Sequence, residues 1–290
     1  MRHEFVVNNR QGKKVLVMCL VGYKPDLWDK VFDRFIKYMD VDADVCLVSS
    51  GLKNKQLELL ALSRHWSYLT TSENNLCLAQ NECIAQHPNA EYIFKLDEDM
   101  FVTKHSFSTL LKQMQRLEET SCYVPGAIVP LINVNATCLP KMMQISLKRD
   151  EFIEKFGKPY VSDGRTHHDA ITFDAELTKW LWENVSIDHA LDDYIVNSCA
   201  TELCATRFSI GMVLFKRDVW QNMGHFPYTP DDPVEYKRIG LGEDEKALCN
   251  YCMMKARPMF ICNDVLVGHL SYGPTTKEMM SFFKTHQELF

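Results

Sequence analysis

Three consecutive carboxylates, Asp97, Glu98 and Asp99, interrupt the apolar segment EYIFKLDEDMFV at residues 91–102. Adjacent acids repel one another unless a cation lies among them, and a solvated turn would more often contain Gly or Pro. Because side chains alternate along an extended chain, we expect Asp97 and Asp99 to share one side while Glu98 points away. The pattern indicates either a divalent-cation site or an acidic loop tip.

A second pair of acids, Glu243 and Asp244, follows the glycine-flanked sequence GLG (240–242) and begins a predicted helix. A carboxylate beside an incoming hydroxyl can act as a general base once water is excluded. The alternative is structural, since acids interact favourably with the N-terminal end of a helix dipole. His269, which follows the last apolar run, is similarly a candidate metal ligand or a structural histidine.

Hydrophobic periodicity predicts the elements that must position these residues. The predicted order in the first half is strand 13–23, helix 25–39, strand 43–51, helix 53–65, strand 66–71, helix 75–87, the strand leading into Asp97, and helix 106–117. This alternation predicts an α/β fold with a parallel sheet covered by helices on both faces. The acids of the triplet would then lie at the carboxyl end of a strand, where open α/β sheets bind ligands.

The alternation is interrupted in the second half of the chain. Residues 135–205 contain predicted helices but no linker, which indicates a helical insertion rather than a separate domain. A loop from Pro227 to Gly242, punctuated by Pro and Gly, is a candidate lid. The remaining predicted elements are helices 142–156 and 174–184, strand regions 208–226 and 259–273, and a tail helix from Lys277 to Leu289.

We therefore expect a single domain over residues 1–290. Its first half would cover about 13–104 and its second half about 105–273, followed by a C-terminal helix at about 276–290. A length of 290 residues is sufficient for one large α/β domain with an ample core.

Composition excludes several classes of protein. The net charge of −6 and the lack of a basic stripe argue against a nucleic-acid partner. No apolar stretch approaches the roughly 20 residues that span a bilayer, and the N-terminus lacks the apolar core of a secretory signal.

The odd total of eleven cysteines, many of them in apolar segments, favours buried thiols in a reducing cytoplasm. The CxxC pair Cys249 and Cys252 is expected to be a pair of core thiols rather than a zinc site.

Two further groups carry weaker signals. The segment containing His167, His168 and Asp169 is either a polar turn or a second metal site. Trp180 and Trp182 cannot share one helix face, so we expect at most one of them in the core. The other could then stack on the ring of a ligand.

Several motifs occur together in an order that resembles the GT-A nucleotide-sugar glycosyltransferases, specifically the inverting family-2 type. The motifs are an opening strand followed by a turn and helix, AQN (79–81), LDED (96–99), and the pattern from SIGMVLFKRDVWQNMGHF (209–226) to GLGED (240–244). The resemblance covers most of residues 13–270 and is weakest in the insertion. It implies a GT-A, Rossmann-like sheet and transfer of a sugar, with inversion, from a nucleotide-diphosphate donor such as a UDP-sugar.

The resemblance also implies roles for individual residues. Asp99 would bind Mn²⁺ or Mg²⁺, with Asp97 near the ribose or a metal-bound water and His269 as a further metal or diphosphate contact. Asp244, beside Glu243, would be the general base on a glycan or glycoconjugate acceptor. The nucleotide-binding half would be about 13–104, with Ser50, Asn81 and Glu98 in the nucleotide site. The acceptor-side half would be about 105–273, where an exposed tryptophan of 174–184 could stack on an acceptor sugar. A lipid-linked acceptor would bring the protein to a membrane surface without a transmembrane segment.

The chain departs from the family pattern at three places. Ser49, Ser50 and Gly51 replace the usual Asp-Asp-Gly-Ser, although a hydroxyl can still bond a pyrimidine edge. Gln80 replaces a common Arg, and Asn75 replaces a frequent Gly. A sugar-1-phosphate nucleotidyltransferase is one alternative function, but the segment VGYKPDLWD does not resemble its Gly-rich basic loop. A catalytically silent sugar-binding module is the other alternative.

Overall fold

The computed structural model describes residues 2–159, 169–192, 200–228 and 242–290. Within these ranges the chain forms ten β-strands and eleven α-helices. The strands are β1 (His3–Val7), β2 (Val15–Leu20), β3 (Asp44–Ser50), β4 (Ser67–Thr71), β5 (Tyr92–Asp97), β6 (Met100–Phe101), β7 (Ala127–Ile132), β8 (Thr201–Leu203), β9 (Met212–Lys216) and β10 (Met259–His269). The helices are α1 (Trp28–Tyr38), α2 (Lys55–Arg64), α3 (Leu76–Gln86), α4 (Ser106–Thr120), α5 (Leu139–Ile145), α6 (Arg149–Phe156), α7 (Asp169–Phe173), α8 (Ala175–Asn184), α9 (Arg217–Asn222), α10 (Glu243–Met254) and α11 (Thr276–Thr285).

The strands form one sheet in the order β1-β4-β3-β2-β5-β9-β7-β10-β6, and β8 pairs with β10. Strands β4, β3, β2 and β5 are parallel, as the strand and helix alternation of the first half predicts. Every residue of β2 and β3 is buried, which explains why both strands are continuous apolar runs. The α/β fold with helices flanking a largely parallel central sheet is confirmed.

The second half adds strands of both directions. Strand β9 is antiparallel to β5 and to β7, whereas β7 and β10 are parallel. The carboxyl ends of β2, β3, β5, β7 and β10 therefore meet at the same edge of the sheet as the amino end of β9. The N-terminal strand β1, which the sequence analysis did not predict, pairs antiparallel with β4 at the sheet edge.

The insertion is helical, but its details differ from the prediction. The predicted helix 142–156 is two helices, α5 and α6, because Leu147 between them has a φ of 56° that an α-helix cannot contain. The expectation that at most one tryptophan of α8 lies in the core is wrong. Trp180 packs on Phe152 of α6 with ring centroids 5.4 Å apart, and Trp182 packs on Phe290 at 4.0 Å. Both indoles are buried because α8 lies between α6 on one side and the C-terminal segment on the other.

The remaining predictions concern the cysteines, membrane-spanning helices and residues outside the described ranges. The ten cysteines that the structure describes are all free thiols, and nine are buried, including Cys249 and Cys252. Among the helices of the described ranges, none has the length and apolarity needed to cross a bilayer. His167, His168 and residues 229–241 of the candidate lid lie outside the described residues, as does the side chain of Asp169.

Candidate active site

A cavity of about 560 Å³ opens at the shared edge of the sheet. Six of the residues singled out from the sequence line it: Ser50, Asp97, Glu98, Asp99, Asp244 and His269. Acids that are distant in the chain converge here because β5 and β10 end at this edge and α10 begins there. The cavity also contains residues with no role assigned from sequence, above all Lys24, Lys95 and Asn74.

Glu98 has partners different from those of its two acidic neighbours, and it fixes the turn between β2 and α1. Its carboxylate accepts hydrogen bonds from the backbone N–H groups of Gly22 and Tyr23, both at 2.9 Å. The indole N–H of Trp28 donates to it as well, at 2.7 Å. These three donors use the carboxylate for structure, so Glu98 shapes the cavity by holding the backbone of this turn.

Asp99 is 4% exposed and interacts with two basic side chains. The Lys24 ammonium donates to Asp99 Oδ2, and Nε2 of His269 lies 3.6 Å from the same oxygen. Burial alone would raise the pKa of Asp99, but Lys24 and His269 hold that pKa well below its ordinary value. Asp99 is therefore ionised throughout the neutral range.

His269 is fixed by the strand end on which it lies. Its backbone N–H donates to Asn133 Oδ1 at 2.9 Å, and its ring Nδ1 lies 3.3 Å from the carbonyl oxygen of Val134. Tyr272 packs edge-on against the imidazole, with centroids 5.3 Å apart. With Nδ1 next to the carbonyl oxygen of Val134, Nε2 is the ring nitrogen on the side of Asp99, where a metal ligand would lie.

Asp97 forms an ion pair with a lysine from its own strand. Lys95 is 3% exposed, and its ammonium donates to Asp97 Oδ2 and to the carbonyl oxygen of Ile210, each at 2.8 Å. Burial raises the pKa of Asp97 to about 6, with Lys95 opposing that shift and Asp99 adding to it. Because Lys95 lies two residues before Asp97, strand alternation places both on one side of β5.

Asp244 lies in the first turn of α10 and is 2% exposed. Gln80 donates from Nε2 to Asp244 Oδ2 at 3.0 Å, and the Lys95 ammonium lies 3.6 Å from that oxygen. Glu243 differs from Asp244, because its side chain is 29% exposed and lies 3.7 Å from Lys246 on the same helix. Of this acidic pair, Asp244 lines the cavity and Glu243 does not.

The opposite end of the cavity is shaped by the turn after β3. Ser50 donates from its hydroxyl to Asn74 Oδ1 at 3.0 Å, and both side chains line the cavity beside Leu76. Gly51 has a φ of +73°, and a Cβ atom there would lie 2.6 Å from the backbone nitrogen of Asn74. Only glycine therefore allows Asn74 to approach Ser50 this closely.

Asn81 is not brought to this cavity. Its Nδ2 donates to the carbonyl oxygen of Phe226 at 2.9 Å. Its Oδ1 accepts from the indole N–H of Trp220 at 2.9 Å and from the backbone N–H of Phe226 at 3.0 Å. The carboxamide thus joins α3 to the segment that follows α9.

The site contains side chains of the kinds that bind a hard divalent cation. In this structure, however, Asp99 is paired with a lysine instead. Carboxylate oxygens and an imidazole nitrogen are ligands that Mn²⁺ and Mg²⁺ accept, with oxygen preferred by Mg²⁺. Across the described ranges, no three metal-binding side chains are grouped to hold an ion. The Lys24 ammonium instead occupies the oxygen of Asp99 that faces His269.

Sequence reasoning missed the basic residues of the site. Lys95 is a charged residue inside the apolar run YIFKLD, and its position two residues before Asp97 is the signal that could have indicated it. Lys24 has no such signal, since its partner Asp99 is distant in the chain. Arg207, which pairs with Glu245 at the cavity wall, was also missed.

Comparison with sequence profiles of known families gave no match, and comparison with curated proteins gave none. Solved structures are similar in fold. GalNAc-T7 with UDP, GalNAc and Mn²⁺ aligns with a TM-score of 0.51 and 11% identity, over 95% of this chain and 51% of that one. Mannosyltransferase PcManGT from Pyrobaculum calidifontis, in complex with GDP-Man and Mn²⁺, gives 0.49 and 12%, over 91% and 58%. TarS 1–349 from S. aureus gives 0.49 and 10%, over 96% and 64%.

The chain spans between about half and two thirds of the length of these structures. At this level of identity, the likeness to GalNAc-T7 concerns the fold. The chain therefore has a fold like that of the GT-A nucleotide-sugar glycosyltransferases.

Proposed function

We propose that the protein is a metal-dependent glycosyltransferase that moves a sugar from a nucleotide-diphosphate donor, a UDP-sugar, to a hydroxyl of a glycan or glycoconjugate, with inversion. The observation that carries this proposal is the meeting of two acidic groups at one cavity. Asp97 and Asp99 come from the end of β5, Asp244 comes from α10, and Lys95 contacts both Asp97 and Asp244. The two groups suit the two requirements of the reaction, which are a charged donor and an activated acceptor.

The donor would lie across the carboxyl ends of β2, β3 and β5. Ser50 and Asn74 offer a hydroxyl and an amide to the edge of a pyrimidine base, and the apolar side chains of Val48 and Leu76 line the same end of the cavity. Asp97, at the centre, would accept from a ribose hydroxyl or a metal-bound water. Asn81 supports this arrangement from outside the cavity.

The diphosphate would lie beside Asp99 and His269. A divalent cation bound by Asp99, with Asp97 and His269 as further ligands, would neutralise the departing diphosphate as a Lewis acid. The turn held by Glu98 keeps the backbone of Gly22 and Tyr23 in place next to this region. Burial excludes water from Asp99, which strengthens its interaction with any cation.

Asp244 would activate the acceptor. The acceptor hydroxyl oxygen attacks the anomeric carbon, the bond from that carbon to the diphosphate oxygen breaks, and the hydroxyl proton passes to Asp244. The nucleoside diphosphate leaves from the opposite face, which inverts the anomeric centre. Gln80 and Lys95 hold one carboxylate oxygen of Asp244 in a fixed orientation.

The proposal also covers the cellular compartment and the membrane. We place the reaction in the cytoplasm, because buried free thiols suit a reducing compartment. A lipid-linked glycan is a compatible acceptor, and it would associate the protein with a membrane surface only through substrate.

The test is a screen of nucleotide sugars with Mn²⁺, in which release of nucleoside diphosphate is measured with and without acceptor. Transfer or slow donor hydrolysis that EDTA abolishes, and that Mn²⁺ or Mg²⁺ restores, is the expected result. Full activity in EDTA would contradict metal dependence. A nucleotidyltransferase would instead consume a nucleoside triphosphate with a sugar 1-phosphate, and a silent module would bind a nucleotide sugar without releasing nucleoside diphosphate.

A further inference from the structure

Two adjacent acids, Glu98 and Asp99, hold the same short turn between β2 and α1 in different ways. Glu98 fixes its backbone through the N–H groups of Gly22 and Tyr23. Asp99 binds the side chain of the next residue, Lys24. The Lys24 ammonium therefore lies in the cavity while the backbone next to it is held in place.

Asp99 Oδ2 is the meeting point of Lys24 and His269. An ammonium in direct contact with this oxygen and a divalent cation on it would repel each other at short range in a poorly solvated site. The two cations are therefore alternative partners of Asp99. A metal that takes this carboxylate must displace the ammonium.

The Lys24 ammonium can leave its carboxylate partner more easily than the Lys95 ammonium can. The Lys24 side chain is 29% exposed, and within the described residues its ammonium donates a hydrogen bond only to Asp99. Lys95 is 4% exposed and also donates to the carbonyl oxygen of Ile210. A lysine on a flexible stem can move a few ångströms while its backbone stays in place.

The cavity also contains an unused donor on the same side. Ser271, two residues after His269, lines the cavity and is 2% exposed. In the described part of the chain its hydroxyl has no hydrogen-bond partner. A buried hydroxyl without a partner is costly, which indicates that a ligand oxygen completes its bonding.

We propose that Lys24 is an exchangeable cation. It pairs with Asp99 until a divalent cation takes that carboxylate, and it then binds the diphosphate of the donor, to which Ser271 also donates. The proposal rests on the proposed function, because it names a further residue that contacts the donor. Lys24 would then have two opposite effects. Lys24 would weaken metal binding to the free protein and strengthen donor binding to the metal-loaded protein.

The experiment measures two affinities on each variant. Binding of Mn²⁺ alone is followed by electron paramagnetic resonance, and binding of UDP in saturating Mn²⁺ by calorimetry. For Lys24→Met we expect Mn²⁺ to bind several-fold more tightly and UDP about tenfold more weakly. Lys24→Arg keeps the charge and should remain near wild type in both measurements. Lys53→Met, which removes an exposed lysine paired with Glu4, is the matched control.

Ser271→Ala provides an independent arm. It should weaken UDP binding in Mn²⁺ by several-fold and leave binding of Mn²⁺ alone unchanged. For Lys24→Met, loss of both affinities together would show a structural role and overturn the proposal, and so would two unchanged affinities. Failure of the wild-type protein to bind UDP with Mn²⁺ would instead overturn the proposed function, so the two failures are distinguishable.

Discussion

The ammonium of Lys95 joins two carboxylates that line the cavity: it lies 2.8 Å from Asp97 Oδ2 and 3.6 Å from Asp244 Oδ2. These acids come from opposite halves of the chain, and each is at the cavity. One buried cation therefore balances two carboxylates with different proposed roles. In the proposed reaction, this arrangement would keep Asp244 ordered before an acceptor arrives and would reduce the reorganisation needed for proton transfer.

The first prediction separates Asp244 from the donor site. Asp244→Asn keeps the shape of the side chain but removes its capacity to accept a proton. We expect turnover to fall on the order of a hundredfold or more, while affinity for UDP with Mn²⁺ stays within a few-fold. Asp99→Asn should instead weaken UDP and Mn²⁺ directly. Initial rates and calorimetry on each variant make the comparison.

The control for this prediction is Asp264→Asn, which changes an exposed acid of β10. Near wild-type transfer by Asp244→Asn, with loss in Glu243→Gln, would move the base to Glu243. A loss of UDP binding by Asp244→Asn as large as that of Asp99→Asn would place Asp244 in the donor site and remove the main support for inversion.

The second prediction concerns the close approach of Gly51 and Asn74. Gly51→Ala adds a Cβ atom 2.6 Å from the backbone nitrogen of Asn74, so Asn74 must shift away from Ser50. We expect UDP affinity to fall by about tenfold and the free energy of unfolding to fall by about 1–3 kcal/mol. Gly224→Ala is the matched control, since Gly224 also has a positive φ of +81° but no neighbour within 4 Å of the added atom.

Both glycine variants introduce backbone strain, so both should be destabilised in urea unfolding. Only Gly51→Ala should lose affinity for UDP. Equal UDP affinities in the two variants would show that the Ser50–Asn74 pair does not contact the base.

The third prediction concerns His87, at the end of α3 far from the cavity. Burial lowers the pKa of His87 from its ordinary value of 6.5, although the Cys83 carbonyl that accepts from Nδ1 at 2.7 Å opposes the shift. The folded chain therefore stays neutral at His87 in a range where the unfolded chain binds a proton. Its contribution to the free energy of unfolding is present above pH 6.5 and is lost as pH falls through the folded-state pKa.

Urea unfolding at pH 7.5 and pH 5.5 checks this sign. His87→Gln should lose less stability between the two conditions than the wild-type protein does, because it has no group to protonate. His189→Gln is the control, since that side chain is 79% exposed. An identical pH dependence in His87→Gln and wild type would contradict the assignment.

Much of the donor-side architecture could be predicted from sequence for a local reason. Continuous apolar runs identify buried parallel strands, and strand direction then places the acids at one edge. Glu98 has partners different from those of Asp97 and Asp99, namely the backbone N–H groups of Gly22 and Tyr23. Strand alternation does not account for this difference, because β5 ends at Asp97 and residues 98 and 99 form a turn. The convergence of Asp244 and His269 on the same edge depended on the family resemblance, since nothing local to either residue indicates it.

The basic partners and the second half of the sheet could not be predicted. Whether a lysine pairs with a carboxylate depends on contacts between distant segments, as with Lys24 and Asp99. The antiparallel direction of β9 could not be predicted either, because an apolar run has the same pattern in a parallel or an antiparallel strand. Both faces of α8 are buried because α6 and the C-terminus pack on opposite sides, so Trp180 and Trp182 are core residues despite facing different directions.

The last prediction tests the shared cation directly. Lys95→Met keeps the volume of the side chain but leaves the carboxylates of Asp97 and Asp244 buried without their ammonium. Removing one partner of a buried ion pair leaves an uncompensated charge, and we expect the free energy of unfolding to fall by about 3 kcal/mol or more. Adding Asp97→Asn to Lys95→Met removes one of the two stranded charges, so the double variant should regain part of that loss. Urea unfolding of the wild type, both single variants and the double variant gives the coupling energy. A double variant whose loss equals the sum of the single losses would show that Lys95 and Asp97 act independently, and Lys95 would then be a packing residue rather than the link between the two carboxylates.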